Sequence, residues 1–260
     1  MKALHIAATG MKAQERNVEV ISNNVANLRT TGYKRQRVDF QDLMYQNLRR
    51  MGSETSTAGT IVPTGVQIGS GVKVASTSRI MSQGAVEQTG KELDLAVRGE
   101  GFFQIELPDG TTAYTRDGSF ERDPNGTIVT VDGYTVVPGI TIPQDSRNIT
   151  ISTDGTVSAV DGAGATVNLG QIQVARFVNK AGLEAIGDNL FLETEASGAA
   201  QVDNPGSDGF GSVQQYFLEM ANVDAVTEIA DLISAQRAYE MNSRVIKAAD
   251  EMYSTTSNLR

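Results

Sequence analysis

Apolar residues recur every seven positions at both ends of this chain and alternate with polar ones in between. In the N-terminal segment Leu4, Met11, Val18 and Val25 form one column, and Ala7, Gln14, Ile21 and Leu28 form a companion three places on. That spacing predicts a helix carrying a coiled-coil seam. In the C-terminal segment Leu232, Tyr239, Ile246 and Tyr253 repeat the interval, flanked on one broad face by Ala235, Ala238, Val245, Ala249, Met252 and Leu259. Amphipathic helices draw most of their stability from packing the apolar stripe, so both need partners. Either the two ends pair with each other inside one molecule, or they pair and also pack against other subunits. Ends so rich in Asn, Gln and Ser make a thin two-helix core, which favours the second arrangement.

Between the ends the period shifts towards that of strands. "DLAVRGEGFFQIEL" holds alternating and branched apolar residues, and "LPDG", "DPNG" and "VDGY" are turn signals at the spacing of an all-β meander. Asp154-Gly155 marks a further hairpin, with Ile149, Ile151, Val157, Ile172, Val174 and Phe177 as its apolar positions. All six prolines and 23 of the 26 glycines lie between residues 51 and 210, so the turns are concentrated there. The stretch from Arg49 to Gly65 is polar and without period, which predicts a long loop or extended arm. The expected fold is α+β, mainly β, with a central antiparallel domain over 91–204. Residues 1–36 and 222–260 are expected to form a discontinuous coiled-coil domain. Residues 37–90 and 205–221 connect the two, the arm occupying about 49–65.

Charge follows the same partition. Residues 1–50 carry nine Lys or Arg against four acids, whereas 91–210 carry seven against eighteen. The net charge of -9 and pI near 4.7 argue against a nucleic-acid partner, which requires a basic face. With no cysteine there are no disulfides or thiolate sites, which suits work outside the reducing cytosol. The N-terminal "MKALHIAATGMKAQER" lacks the apolar core and cleavage site of a secretory signal, so export is expected by another route.

Catalytic and metal chemistry find little support. His5, the single histidine, sits on the N-terminal helix with nothing at relay or ligand spacing, and no G-x-S-x-G elbow is present. "ERDPNGTIVTVD" places Glu121, Asp123, Asn125, Gly126 and Asp132 in an EF-hand-like register. Its end residues are the wrong carboxylates, Pro124 stiffens it and its flanks read as strand, so a hairpin turn is expected there. "GEGFF" is a glycine-rich fragment without the helix, Lys or Ser that would cradle phosphate, and reads as a bulge or tight packing site. A secreted β-fold carbohydrate-active enzyme would need two carboxylates across a cleft. The many acids here mostly lie beside turn residues, and tryptophan is absent.

The two ends resemble bacterial flagellar axial proteins. "ISNNVANLRTTGYKRQRVDFQDL" supplies the family's N-terminal motif through Asn23, Asn24, Ala26, Asn27, Thr31, Gly32, Tyr33, Lys34 and Phe40, with Tyr33 where Phe is commoner. "ANVDAVTEIADLISAQRAYEMNSRVIKAADEM" matches the C-terminal motif through Asn222, Val223, Gln236, Arg237, Ala238, Tyr239, Glu240, Asn242 and Met252. The middle is most similar to the distal-rod branch, the proximal rod and hook branches being the alternatives. The resemblance implies a straight helical tube, a homopolymer whose terminal helices line the bore and whose β body faces outward. Other rod proteins, the hook protein, the outer rings of the basal body and the flagellar type III export apparatus are the implied partners. No cofactor, nucleic acid or small-molecule substrate is implied. The asparagines are expected to cap the first helix where subunits crowd together. The arm, with Ser53, Thr57 and Pro63, resembles the segment that distinguishes a straight rod from a curved hook.

Overall fold

The computed structural model describes residues 2–49, 51–52, 64–162 and 164–258. The fold is mainly β, with one long helix at each end: α1 (Lys2–Ala26) and α2 (Ala225–Asn258). The chain divides into two compact units. The first comprises Met1–Val25, Gln36–Ser78 and Asp224–Arg260; the second comprises Ala26–Arg35 and Arg79–Val223. The expected connecting region 37–90 is thus shared between the two.

In the first unit α1 and α2 accompany two strand pairs. Gln36–Asp42 pairs with Val72–Arg79, and Tyr45–Arg49 pairs antiparallel with Val66–Gly69 in the register Tyr45 to Gly69. The second pair forms the stem of the segment expected to be an arm. Its apolar side chains face water, Leu48 being 63% exposed, as does Met44 just before Tyr45 at 84%. Ser53, Thr57 and Pro63 lie outside the described residues.

The second unit is built around a nine-stranded antiparallel sheet. Its central strand, Phe102–Glu106, pairs with Thr112–Thr115 on one side and with Val174–Arg176 and Thr135–Val136 on the other. Phe102, Phe103, Gln104 and Ile105 are all buried because both faces of the sheet are covered. Alternation therefore sorts residues between two cores and not between core and solvent. Phe103 and Ile105 join Leu95, Phe120, Ile142, Ile172 and Val213 in the larger core. Phe102 joins Tyr114, Phe177, Leu183 and Phe191 in the smaller, where Phe102 meets Phe177 edge-on at 5.9 Å and Phe191 at 6.1 Å.

Turn chemistry follows the sequence closely. Arg147–Ile151 and Thr156–Val160 form an antiparallel pair across Asp154-Gly155, where the Asp154 carboxylate accepts the Thr156 N–H at 3.2 Å. At Asp-Pro-Asn-Gly the strands Glu121–Arg122 and Ile128–Val129 pair antiparallel. Asp123 Oδ1 accepts the N–H groups of Asn125 at 2.9 Å and Thr127 at 2.7 Å. These bonds hold its carboxyl below the usual carboxylate range, that from Thr127 contributing most. Asp123 is the clasp of a hairpin turn.

Phe103 is fully buried and meets Phe120 edge-on at 5.1 Å. Phe103→Ala is expected to cost the second unit about 3–5 kcal/mol, measured by denaturant unfolding. Val178→Ala, at a position 83% exposed, should change stability by less than about 0.5 kcal/mol. A loss under about 1 kcal/mol for Phe103→Ala would show that the core is assigned to the wrong residues.

Candidate assembly site: the terminal helices and the motif turn

Two contacts fix the register of the helices. A side chain added at Gly10 of α1 would come within 2.9 Å of the Asn242 amide on α2, so the Asn242 side chain packs against the glycine there. Asn24 of α1 donates to Glu228 of α2 at 3.1 Å. Fourteen residues forward along α1, from Gly10 to Asn24, thus match fourteen backward along α2, from Asn242 to Glu228, so the helices run antiparallel. The same register sets Asn17 opposite Ala235. The facing column on α2 is Glu228, Ala235, Asn242 and Ala249, at seven-residue spacing, with Glu228, Ala235 and Ala249 buried. It is made of small and polar residues.

The large apolar residues lie beside that column. Leu232, Tyr239, Ile246 and Tyr253 stand four places after each facing residue, and Ala238, Val245 and Met252 three places after. Leu232, Ala238 and Ile246 are half-buried, while Tyr239, Val245, Met252 and Tyr253 are 44–63% exposed. On α1 Ala7 and Ile21 are buried, Leu4, Met11 and Val18 are half-buried, and Val25 is exposed. Gln236, Arg237 and Glu240 lie on the exposed surface of α2, as does Phe40 on its strand. On α2 the apolar surface extends round the helix at its start, where Val226 is 76% and Ile229 50% exposed.

Asn24 does more than occupy the end of a helix. Its amide nitrogen donates to the Gln36 carbonyl and its oxygen accepts the Gln36 N–H, both at 2.9 Å, so it pairs with the backbone as a strand neighbour would. It is 1% exposed. Asn23 and Ala26 are exposed, and Asn27 accepts from the Thr30 N–H and hydroxyl in the adjoining turn.

In the second unit, residues 26–35 dock on the β body through a buried ionic cluster. Lys34 donates to Glu219 Oε1 at 2.5 Å and to the Ser82 carbonyl at 2.9 Å. Arg116 donates to Glu219 Oε2 at 3.2 Å, to the carbonyls of Val97 and Gly99, and stacks over the Phe102 ring at 5.2 Å. All three charged residues are at most 3% exposed. Burial pushes the Lys34 ammonium below the ordinary lysine value, opposed by the Glu219 carboxylate. Gly32 sits at φ +68° with its N–H bonded to the Glu219 carbonyl at 2.7 Å, and a side chain there would strike the Asp117 backbone. Asn189 donates to the Thr31 carbonyl at 3.0 Å. Tyr33 is half-buried, its N–H bonded to the Thr30 carbonyl. Asn222 completes the attachment, accepting from the Arg35 N–H at 2.7 Å and donating to the Ile80 carbonyl at 2.7 Å.

The motif residues Asn24, Gly32, Lys34 and Asn222 are thus all in contact with chain distant in sequence, whereas Glu219, Glu228, Arg116, Asn189 and Gly10 were not singled out from the sequence. Glu219 gave one signal. It stands alone as a charge in the apolar run "YFLEMANV".

The known proteins that the chain matches are structural proteins of the flagellum. The N-terminal residues 4–34 match the flagellar basal body rod protein family, 96–159 the D1 domain of the flagellar hook protein FlgE/F/G, and 214–259 the C-terminal region of flagellar basal body rod FlgEFG proteins. The flagellar basal-body rod protein FlgG of Caulobacter vibrioides is 58% identical over 261 residues, spanning 100% of both chains. Those of Borreliella burgdorferi and Bacillus subtilis are 48% and 40% identical, each spanning 100% of this chain and 99% of the relative. The chain belongs to the FlgG family of flagellar basal-body rod proteins. It is a structural subunit of the flagellar distal rod, and the family is not enzymatic.

Asn24→Ala removes both backbone bonds to Gln36 and takes a donor from Glu228 at a buried site. The expected loss is about 2–3 kcal/mol per subunit, read as a lower denaturant midpoint for dissociation of assembled rods. Asn24→Asp, which sets a second carboxylate beside Glu228, should lower it further. Midpoints equal to wild type for both variants would show that this contact does not hold the helices.

Proposed function

We propose that α1 and α2 form an antiparallel coiled coil, the discontinuous domain expected over 1–36 and 222–260 less the turn 26–35, that lines the bore of a straight helical tube. The tube is a driveshaft that carries motor torque to the hook. One observation supports this most: helix α2 keeps Tyr239, Val245, Met252 and Tyr253 substantially exposed after pairing with α1. A helix of 34 residues, about 51 Å long at 1.5 Å per residue, gains little from a facing column of alanines and asparagines. Its large apolar flanks are suited to burial by neighbouring copies, through heterologous contacts whose rotation does not close and so generates a filament.

The seam columns Leu4, Met11, Val18, Ile21 and Val25 and Leu232, Tyr239, Ile246 and Tyr253 are the assembly residues in this reading. The remaining partners derive from family membership: other rod proteins below, the hook protein above, the outer rings around the tube, and the flagellar type III apparatus for export without a cleaved signal. The rod crosses the periplasm. The arm of about 49–65, including Ser53, Thr57 and Pro63, wedges between neighbouring subunits and keeps the polymer straight. The exposed Met44 and Leu48 at its stem give it an apolar surface for that contact.

Tyr239→Ala should leave the melting temperature of the β body unchanged and abolish motility with export intact, because an aromatic lost from a packed interface costs about 3–5 kcal/mol per subunit. Swimming at wild-type speed would place the seam elsewhere. Deleting Ser53 to Thr64 should leave the subunit folded and yield rods that bend or carry a flexible segment. Electron microscopy decides this, and straight, stiff rods from the deletion strain would refute the role given to the arm.

A further inference from the structure

We infer that residues 26–35 are folded onto the β body in the free subunit, held there by Glu219, and that this turn is where the pairing of the two terminal helices begins. The inference rests on the rod reading only for its consequence; the folded turn itself is a property of the monomer.

The polar contacts of the turn converge on the body at Glu219 and Asn222. Glu219 accepts from Lys34 and Arg116, and also from the Gly84 N–H at 2.9 Å, while its carbonyl accepts from Gly32. The Ile80 N–H donates to the Arg35 carbonyl at 2.8 Å, and Asn222 binds Arg35 from the other side. Lys34 and Arg116 exceed Glu219 by one charge, and the carbonyls of Ser82, Val97 and Gly99 accept further hydrogen bonds from them. A buried carboxylate between two cations cannot lose one partner without leaving charge uncompensated in a low-dielectric site. The cluster therefore closes as a unit. No second copy is needed to close it, in contrast to the apolar flanks of the helices.

The consequence is entropic. Asn24 and Glu228 are 204 residues apart in sequence, and bringing them together in a chain free between them means closing a long loop. With residues 26–35 held on the body and Asn222 bound to Arg35, only residue 25 and residues 223–227 separate the ordered chain from Asn24 and Glu228. The C-terminal end of α1 and the N-terminal end of α2 are tethered through the turn before any neighbour arrives. Helix pairing then propagates from the Asn24–Glu228 end towards Gly10 and Asn242, and the costly nucleation step is already made. Glu219 and Arg116 are positioning residues for assembly, acting through the motif turn.

Acylation of lysines in the full-length monomer tests this directly. Pulse labelling with acetic anhydride, resolved by mass spectrometry, compares Lys34 with Lys91, a body lysine whose side chain is 69% exposed. In the wild-type monomer Lys34 should label at least about tenfold more slowly than Lys91, because its amine is reached only by local opening. In Glu219→Gln, Lys34 labelling should accelerate several-fold while Lys91 does not change. Equal rates for Lys34 and Lys91 in a wild-type monomer whose β body is folded by near-ultraviolet circular dichroism would overturn the prefolded turn. Protection of Lys34 unaltered in Glu219→Gln would overturn the assignment to Glu219. Should that variant unfold, the wild-type comparison still decides whether the turn is formed before assembly. Because the measurement is made on monomer, its outcome is independent of whether the chain polymerises.

Discussion

The close approach of α1 and α2 dictates how the rest of the chain must be stabilised. Where the helices meet, the residues are Gly10, Asn24, Glu228, Ala235 and Asn242, small or polar, and the Asn242 amide lies where a side chain at Gly10 would begin. A seam of that kind is specific in register because its polar groups must find each other. It is poor in buried apolar area, and apolar area is the main source of helix stability in water. The large residues, displaced to the flanks, remain for other surfaces to cover. A subunit that resolved its helices with leucines facing leucines would be more stable alone and would offer less to its neighbours.

The β body obeys the opposite logic. Its central strand is buried on both faces, and two aromatic-rich cores close without outside help. The body places its acidic residues mainly at turns, where Asp123, Asp109 and Asp154 each accept hydrogen bonds from their own loops, leaving a negatively charged but self-sufficient exterior. On the proposed reading, one chain combines an autonomous part with a part that gains its stability in a polymer. The motif turn belongs to the autonomous part although α1, which precedes it, belongs to the other.

Much of this was legible in the sequence because it is local. Heptads located both helices, and Asp-Gly and Asn-Gly pairs located the hairpins, since backbone geometry near a turn depends on the residues in it. The facing column was legible only in part, Ala235 and Ala249 having been placed on the broad face but not as its centre. Hydrophobic periodicity weights large residues, so it picked out Leu232 and Tyr239, whereas the contact is made three or four places away by residues chosen for smallness. The partners of Lys34 and Asn24 were also hidden, at separations of 185 and 204 residues, where nothing local indicates pairing. Of the residues marked by family resemblance, Asn24, Gly32, Lys34 and Asn222 each tie a terminal segment to distant chain, whereas Asn23, Ala26, Phe40, Gln236, Arg237 and Glu240 are exposed. Glu219 and Glu228 complete two of those ties.

The central claim is that the terminal helices are stabilised by other subunits while the body is stabilised by itself. Amide hydrogen exchange on the same chain, free and assembled into rods, tests it most directly. In the monomer, amides in Phe102–Glu106 and Leu95–Arg98 should exchange slowly and those through most of Lys2–Ala26 and Ala225–Asn258 rapidly; in rods both sets should be slow. Slow exchange throughout both helices in a verified monomer would contradict the account.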